Sequence, residues 1–328
     1  MGFIGNQSAV DRLKRSLRFA THRGHRWLDP IGLFGPRSTG KTELARRISQ
    51  ALDVPVLQLS ETNLRSAEDL ARGLERVAQD HGSAMRNERV ANGSMRMRAP
   101  PTVVFIDEVH LLGRRVQDTL LTAIEPNDRT LIAAGRTIDT SQVTFIMATT
   151  DPGRLSEAFR SRITALQLTE YSVEEIVGIL LSHIHDRARF PQEAELLDHN
   201  ALTAISVAGR LVPRQALQLL RDVSEAVALG DATPAEGGVR RYILETRTID
   251  SRGLAERDYR YLRSLYPDLR KGAEALAVEL GEDPTTIEYD IEPFLIRQGL
   301  VQRQSGGRSL SPKGRTFYEQ YVRARASS

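Results

Sequence analysis

The chain has 328 residues, of which 40% are hydrophobic and 45 basic residues face 42 acidic ones. That composition excludes a disordered chain and allows two or three separate cores, while a net charge of +3 is too small to name a partner. With no cysteine, disulfides and thiolate metal sites are excluded; no apolar run approaches membrane-spanning length, and the expected location is a reducing cytoplasm.

From the N-terminus, short β-rich runs alternate with helical stretches, the pattern of a parallel α/β sheet. Strands are predicted at Ile31–Phe34, Val54–Leu59, Thr102–Ile106 and Val143–Thr149, each apolar nearly throughout, as when helices cover both faces. Helices fit at Lys41–Leu52 and Ser66–Asp80. Between Asp80 and Thr102 the stretch "HGSAMRNERVANGSMRMRAPP" carries Arg86, Arg89, Arg96 and Arg98 and reads as a surface loop inserted in the pattern. From Ser172 to about Leu229 the reading turns helical, with Ser172 as a cap ahead of Glu174 and Glu175. Ala232–Gly238 reads as a loop. Beyond Gly253, three helices (Leu254–Leu265, Lys271–Leu280, Pro284–Gln298) precede a hairpin turning at Ser305-Gly306-Gly307, the layout of a winged helix. From Arg297 onward, Arg297, Arg303, Arg308, Lys313, Arg315, Arg323 and Arg325 face Glu319 alone, which suggests a polyanionic partner.

The chemistry is carried by four short stretches. "GPRSTGKT" satisfies G-x-x-x-x-G-K-[ST] between a predicted strand and a predicted helix. Gly35, Pro36, Ser38, Thr39 and Gly40 would cradle phosphate with backbone N–H groups, Lys41 would reach the outer phosphates, and Thr42 would ligate Mg²⁺. "VVFIDEVH" delivers Asp107 to hold the Mg²⁺ shell and Glu108 to polarise the attacking water. The strand "FIMATTDP" ends in Thr149 and Thr150, where a hydroxyl can orient that water. "AFRSRI" places Arg160 and Arg162 at the edge of the α/β unit as candidate fingers for a neighbouring subunit, and Arg214 in "GRLVPRQA" opens a helix from which it could sense nucleotide.

This ordered set resembles the AAA+ ATPases, and more narrowly the RuvB family of Holliday-junction branch-migration motors. "GPRSTGKT", "VVFIDEVH", "ATT", "FRSRI" and "VPRQA" match that family's Walker A, Walker B, sensor 1, arginine finger and sensor 2. The tail "LGEDPTTIEYDIEPFLIRQGLVQRQSGGR" is its most diagnostic part. The resemblance implies a P-loop α/β domain at 1–168, a helical lid at 169–248 and a DNA-binding winged helix at 249–328. It implies a ring, expected to be a hexamer, that binds ATP and Mg²⁺ and drives duplex or junction DNA. "FIGNQSAVDRLKRSL" resembles the family's N-terminal adenine-pocket segment, in which Phe3 and Ile4 would fall in the pocket. Thr150 would be the sensor 1 residue, Arg162 the finger and Arg214 sensor 2, while Arg303, Arg308 and Lys313 would lie on the basic wing against DNA phosphate. An alternative reading is a AAA+ remodelling or loading ATPase that docks on DNA without unwinding it.

Three departures stand out. Arg37-Ser38-Thr39 replaces the Pro-Gly-Leu that usually fills the family's phosphate loop, and the Arg-rich stretch 81–101 is extra. Between Glu125 and Val143 the chain is shorter than where RuvB carries the hairpin that grips its partner RuvA. A small hairpin is still expected there, turning at Ala134-Gly135. The expectation is therefore weak or no binding to an ordinary RuvA, with either a dedicated RuvA-like partner or direct DNA loading, aided by the Arg86–Arg98 stretch, in its place.

Overall fold

The computed structural model describes residues 2–89, 95–267 and 269–326. The chain folds as two units, 1–171 and 172–328.

In the first unit, α1 (Gln7–His22), β1 (Ile31–Phe34), α2 (Lys41–Leu52), β2 (Val56–Leu59) and α3 (Ala67–Asp80) are followed by β3 (Arg86–Arg89), β4 (Met95–Arg98), β5 (Thr102–Ile106), α4 (Arg114–Ala123), β6 (Thr130–Ala133), β7 (Arg136–Asp139), β8 (Val143–Thr149), α5 (Glu157–Ser161) and β9 (Thr164–Gln167). The main sheet runs β2-β5-β8-β1-β9, all parallel. Every residue of β1, β5 and β8 is buried, which is why these strands read as unbroken apolar runs. Alternation along each strand sends Leu33, Phe105 and Ile146 to one face and Phe34, Ile106, Phe145 and Met147 to the other. The first face packs on α1 and α2 through Val10, Leu13, Leu44 and Ile48. The second packs on α3 and α4 through Leu70, Leu74, Val116 and Leu120.

The expected loop at 81–101 is instead part of a second sheet. β3 and β4 form a hairpin, β4 runs parallel to β7, and β7 pairs with β6, giving the order β3-β4-β7-β6. The alternation Arg96-Met97-Arg98 accounts for it: Met97 packs against the core while Arg96 bonds Asp128 at 2.7 Å and Arg98 bonds Asp139 at 3.1 Å. Residues 90–94 of the stretch lie outside the described residues. The β6–β7 hairpin turns at Ala134-Gly135, both with positive φ (49° and 72°), and α3 holds it through Glu68, which accepts the Ala134 N–H at 3.2 Å, and Glu75, which pairs with Arg136.

The second unit begins at α6 (Val173–His183), where Ser172 and Glu175 form a capping box. α7 (His199–Ala208), α8 (Pro213–Leu229) and α9 (Glu236–Arg247) follow. The expected loop over Ala232–Gly238 ends early, because Glu236 already opens α9. Gly238 is needed inside that helix, since a Cβ there would meet the Thr233 hydroxyl at 2.0 Å. After α10 (Glu256–Leu265) and α11 (Ala273–Leu280), a short α12 (Pro284–Thr286) runs through a π-turn (Ile287–Ile291) into α13 (Glu292–Arg297). Pro293 has no N–H for the preceding turn and its ring crowds the carbonyl four residues back, so the turn widens there. β10 (Val301–Gln304) and β11 (Gly307–Leu310) pair as the wing, and α14 (Pro312–Ala326) closes the unit. Among the described residues no helix is long and apolar enough to cross a membrane.

Candidate active site

The phosphate loop leaves β1 and enters α2, while Asp107 and Thr150 leave β5 and β8, so all three arrive at the C-terminal edge of the parallel sheet, where such sheets place their ligands. The loop is shaped for a close approach of backbone. A Cβ on Gly35 would meet the Leu168 carbonyl at 2.3 Å, and one on Gly40 would meet the Tyr171 hydroxyl at 2.6 Å and the Phe3 ring at 2.8 Å. Ser38, which stands where the usual loop has glycine, takes φ +64°. Thr39 donates to the Pro36 carbonyl at 2.9 Å and accepts, through its own carbonyl, the Tyr171 hydroxyl at 3.1 Å.

Lys41 is buried and donates to the carbonyls of Gly35 (2.8 Å) and Pro36 (2.9 Å). Burial holds its ammonium below the usual range, Glu108 and Asp107 pull it back up, and Arg37 lowers it further. Burial followed by the charge of Glu108 holds the Asp107 carboxyl above its usual range. A buried ammonium resting on the loop's own carbonyls, beside a carboxylate strained toward neutrality, fits a site for polyphosphate with a divalent cation. Thr42 is exposed at the first turn of α2, as a cation ligand there must be. Phe3 packs against Gly40, and Asn6 fixes that segment by bonding both the N–H (2.6 Å) and the carbonyl (3.2 Å) of Thr169. Ile4, half-buried, follows Phe3 on the same stretch.

Glu108 and Thr150, 42 residues apart in sequence, meet here. Glu108 takes φ +46°, and its Oε2 accepts both the N–H and the hydroxyl of Thr150, each at 3.0 Å. His110, which the sequence reading passed over in "DEVH", has Nδ1 2.7 Å from the Thr149 hydroxyl and 3.3 Å from the same Glu108 oxygen. Arg162 is bonded within its own subunit, to Glu125 at 2.7 Å and to the Ala158 carbonyl at 2.8 Å. Arg160 is exposed.

The same fold has been seen before. Residues 31–171 match the description "ATPase family associated with various cellular activities (AAA)", and residues 251–319 match "RuvB C-terminal winged helix domain". The "Holliday junction branch migration complex subunit RuvB" of Wolbachia sp. subsp. Brugia malayi is 32% identical over 96% of this chain and 90% of its own length. That of Anaplasma phagocytophilum is 30% identical over 95% of this chain and 88% of its own. The chain belongs to the RuvB family. It is an ATPase with the family's AAA domain and winged helix. The structure of the Thermotoga maritima RuvB Holliday junction branch migration motor superposes with a TM-score of 0.75 at 27% identity, covering 96% of this chain and 95% of that one.

In the second unit, Arg214 is exposed at the first turn of α8. The wing differs from the expected phosphate-binding row. Arg308 is buried, with its guanidinium on Glu292 and Glu288 at 2.7 Å each, and Tyr261 donates to the same Glu292 at 3.0 Å. Arg308, expected at the surface against phosphate, is turned inward and braces the wing against Glu288 and Glu292. Arg303 is half-exposed and shares Glu288 at 2.5 Å, and Lys313 is exposed, bonded to the Gln298 carbonyl at 2.7 Å.

Proposed function

We propose that this RuvB-family ATPase is a ring-forming motor that translocates duplex DNA and drives branch migration of Holliday junctions. The observation carrying the proposal is the meeting of Lys41, Asp107, Glu108 and Thr150 at one sheet edge, in a chain similar over 96% of its length to RuvB subunits of branch-migration complexes. Lys41 exchanges its loop carbonyls for the outer phosphates of ATP. Thr42 and Asp107 would hold Mg²⁺, which would neutralise charge on those phosphates. Phe3 and Ile4 line the base pocket. Thr150 holds the Glu108 carboxylate until the terminal phosphate competes for its hydroxyl; Glu108 then turns to the attacking water, so hydrolysis waits for a full site. Arg162 must leave Glu125 to reach a neighbour's nucleotide, which ties the finger to ring assembly, and Arg214 reads nucleotide from the second unit.

Residues 169–248 serve as the lid and 249–328 as the DNA-binding domain, with Arg303 and Lys313 at the surface for phosphate. In the β6–β7 hairpin, Leu131 and Ile138 are fully buried and Ile132 alone is turned outward, 65% exposed. One exposed large apolar side chain supports weak binding to a RuvA-like protein, and a dedicated partner in its place. A pull-down with RuvA from the same organism tests this: tight binding abolished by Ile132→Asp would overturn it. For the motor itself, the deciding assay is ATP-dependent conversion of a synthetic four-way junction. ATPase activity without junction conversion, in the presence of the partner, would overturn the motor reading.

A further inference from the structure

A run of uncompensated charge lies in the first unit, on α1 and the loop that follows it. Between Arg12 and Leu28 stand Arg12, Lys14, Arg15, Arg18, Arg23 and Arg26 without one acidic residue, in a chain whose net charge is only +3. On α1, Val10, Leu13, Leu17 and Ala20 face the core. The remaining surface holds Arg12, Arg15, Arg18 and Arg23, all exposed, and their guanidinium groups form no ion pair among the described residues. Within the run, Lys14 pairs with Asp11 at 3.7 Å, and at its end Arg26 pairs with Asp53 at 3.0 Å.

Aromatic surface is interleaved with these charges. Phe19 is 61% exposed on α1, and Arg23 lies over its ring at 5.4 Å. In the loop after α1, His25 stacks on Trp27, the chain's single tryptophan, with centroids 4.2 Å apart and planes within 13°. Between them runs a groove of about 340 Å³ whose lining includes Arg12, Arg15, Phe19, His25 and Trp27. Its one carboxylate, Asp29, is paired with Arg129 at 2.5 Å. An exposed ring set among four arginines that have no carboxylate partner among the described residues suits an anionic ligand with flat apolar faces.

We infer that this face of α1 with the His25–Trp27 loop is a second nucleic-acid surface, one that takes single-stranded nucleic acid, with phosphates on Arg12, Arg15 and Arg18 and a base stacked beside Phe19 and the His25–Trp27 pair. A groove of this kind suits an unpaired base. A stacked duplex would present only phosphate, and an acidic protein would have no use for the ring faces.

The test is anisotropy of a fluorescein-labelled oligo(dT) with the full-length protein at several salt concentrations. Arg12→Gln, Arg15→Gln, Arg18→Gln as a triple variant should lower the log–log salt slope by about 2, since three phosphate contacts at about 0.7 each are lost. Phe19→Ala alone should weaken oligo(dT) binding about tenfold. Basal ATPase activity of both should match the wild type, because none of these residues touches the nucleotide site. Arg303→Gln with Lys313→Gln should weaken duplex binding and spare oligo(dT), which keeps this surface distinct from the wing. Unchanged oligo(dT) affinity in either α1 variant overturns the proposal, as does displacement of oligo(dT) by poly-L-glutamate as readily as by unlabelled oligo(dT).

Discussion

Replacing Arg308 by Met separates a strut from a DNA contact. The change removes two charge-assisted bonds of 2.7 Å and leaves Glu292, whose side chain is 1% exposed, holding a buried charge. Its Oε2 already lacks a hydrogen-bond partner, the Tyr261 hydroxyl serves Oε1, and the nearest remaining cation is Arg303 at 3.9 Å. Stranding a buried charge in this way costs about 3–5 kcal/mol, and the residual Arg303 contact favours about 3. For a unit of 157 residues (328 − 171), that corresponds to a fall in Tm of about 6–12 °C. Arg303→Met, at a half-exposed site, should cost no more than about 1 kcal/mol. Adding Glu292→Gln to Arg308→Met removes the stranded charge and should restore most of the loss. Trp27, in the first unit, supplies an internal control: its fluorescence transition should stay in place while the circular-dichroism transition of the second unit moves. Unchanged unfolding of Arg308→Met, together with weakened duplex binding at low temperature, would refute the strut and return Arg308 to the DNA.

Glu108→Gln should keep ATP affinity and lose about 10²- to 10⁴-fold in hydrolysis, measured by single-turnover assay; wild-type turnover would remove Glu108 from its role. Because the folded pKa of Asp107 lies above its unfolded value of about 4, its contribution is present below that pH and lost as pH rises through the folded pKa. Asp107→Asn should therefore raise the nucleotide-free Tm of the first unit at pH 7 and not at pH 4, while hydrolysis is lost; a lowered Tm at pH 7 would contradict the cause given. At Ser38, with φ +64°, glycine should be tolerated, whereas β-branched Val should weaken ATP binding about tenfold by titration calorimetry. Mixing Arg162→Ala subunits with Lys41→Ala subunits should restore part of the ATPase activity; mixtures that assemble and stay inactive would exclude a finger acting across subunits.

β1, α2, β5 and β8 were legible to the residue because each is a local pattern: an apolar run buried on both faces, or a helix opened by the phosphate loop. Other features depend on partners remote in sequence. Arg308 reads as one more cation on a basic wing until Glu288 and Glu292, 20 and 16 residues earlier, come round the π-turn to meet it. The contact of Thr150 with Glu108 spans 42 residues. The second sheet was half-legible: the alternation of arginine and methionine at 95–98 is a strand signal, masked by the Gly and Asn around it and confirmed only by the pairing of β4 with β7.

That second sheet sits on short tethers. Three residues, 99–101, join β4 to β5, and three more, 140–142, join β7 to β8. Both tethers are braced, with the Ala99 N–H on the Asp139 carbonyl at 3.0 Å and the Thr140 hydroxyl on the Ala123 carbonyl at 2.8 Å. β5 and β8 are the strands that lead directly to Glu108 and Thr150. A load applied to the outer sheet has no slack loop in which to dissipate, so it acts as a lever on the two strands whose tips hold the latch between carboxylate and hydroxyl. Six residues in all separate the outer sheet from the two strands that carry the latch.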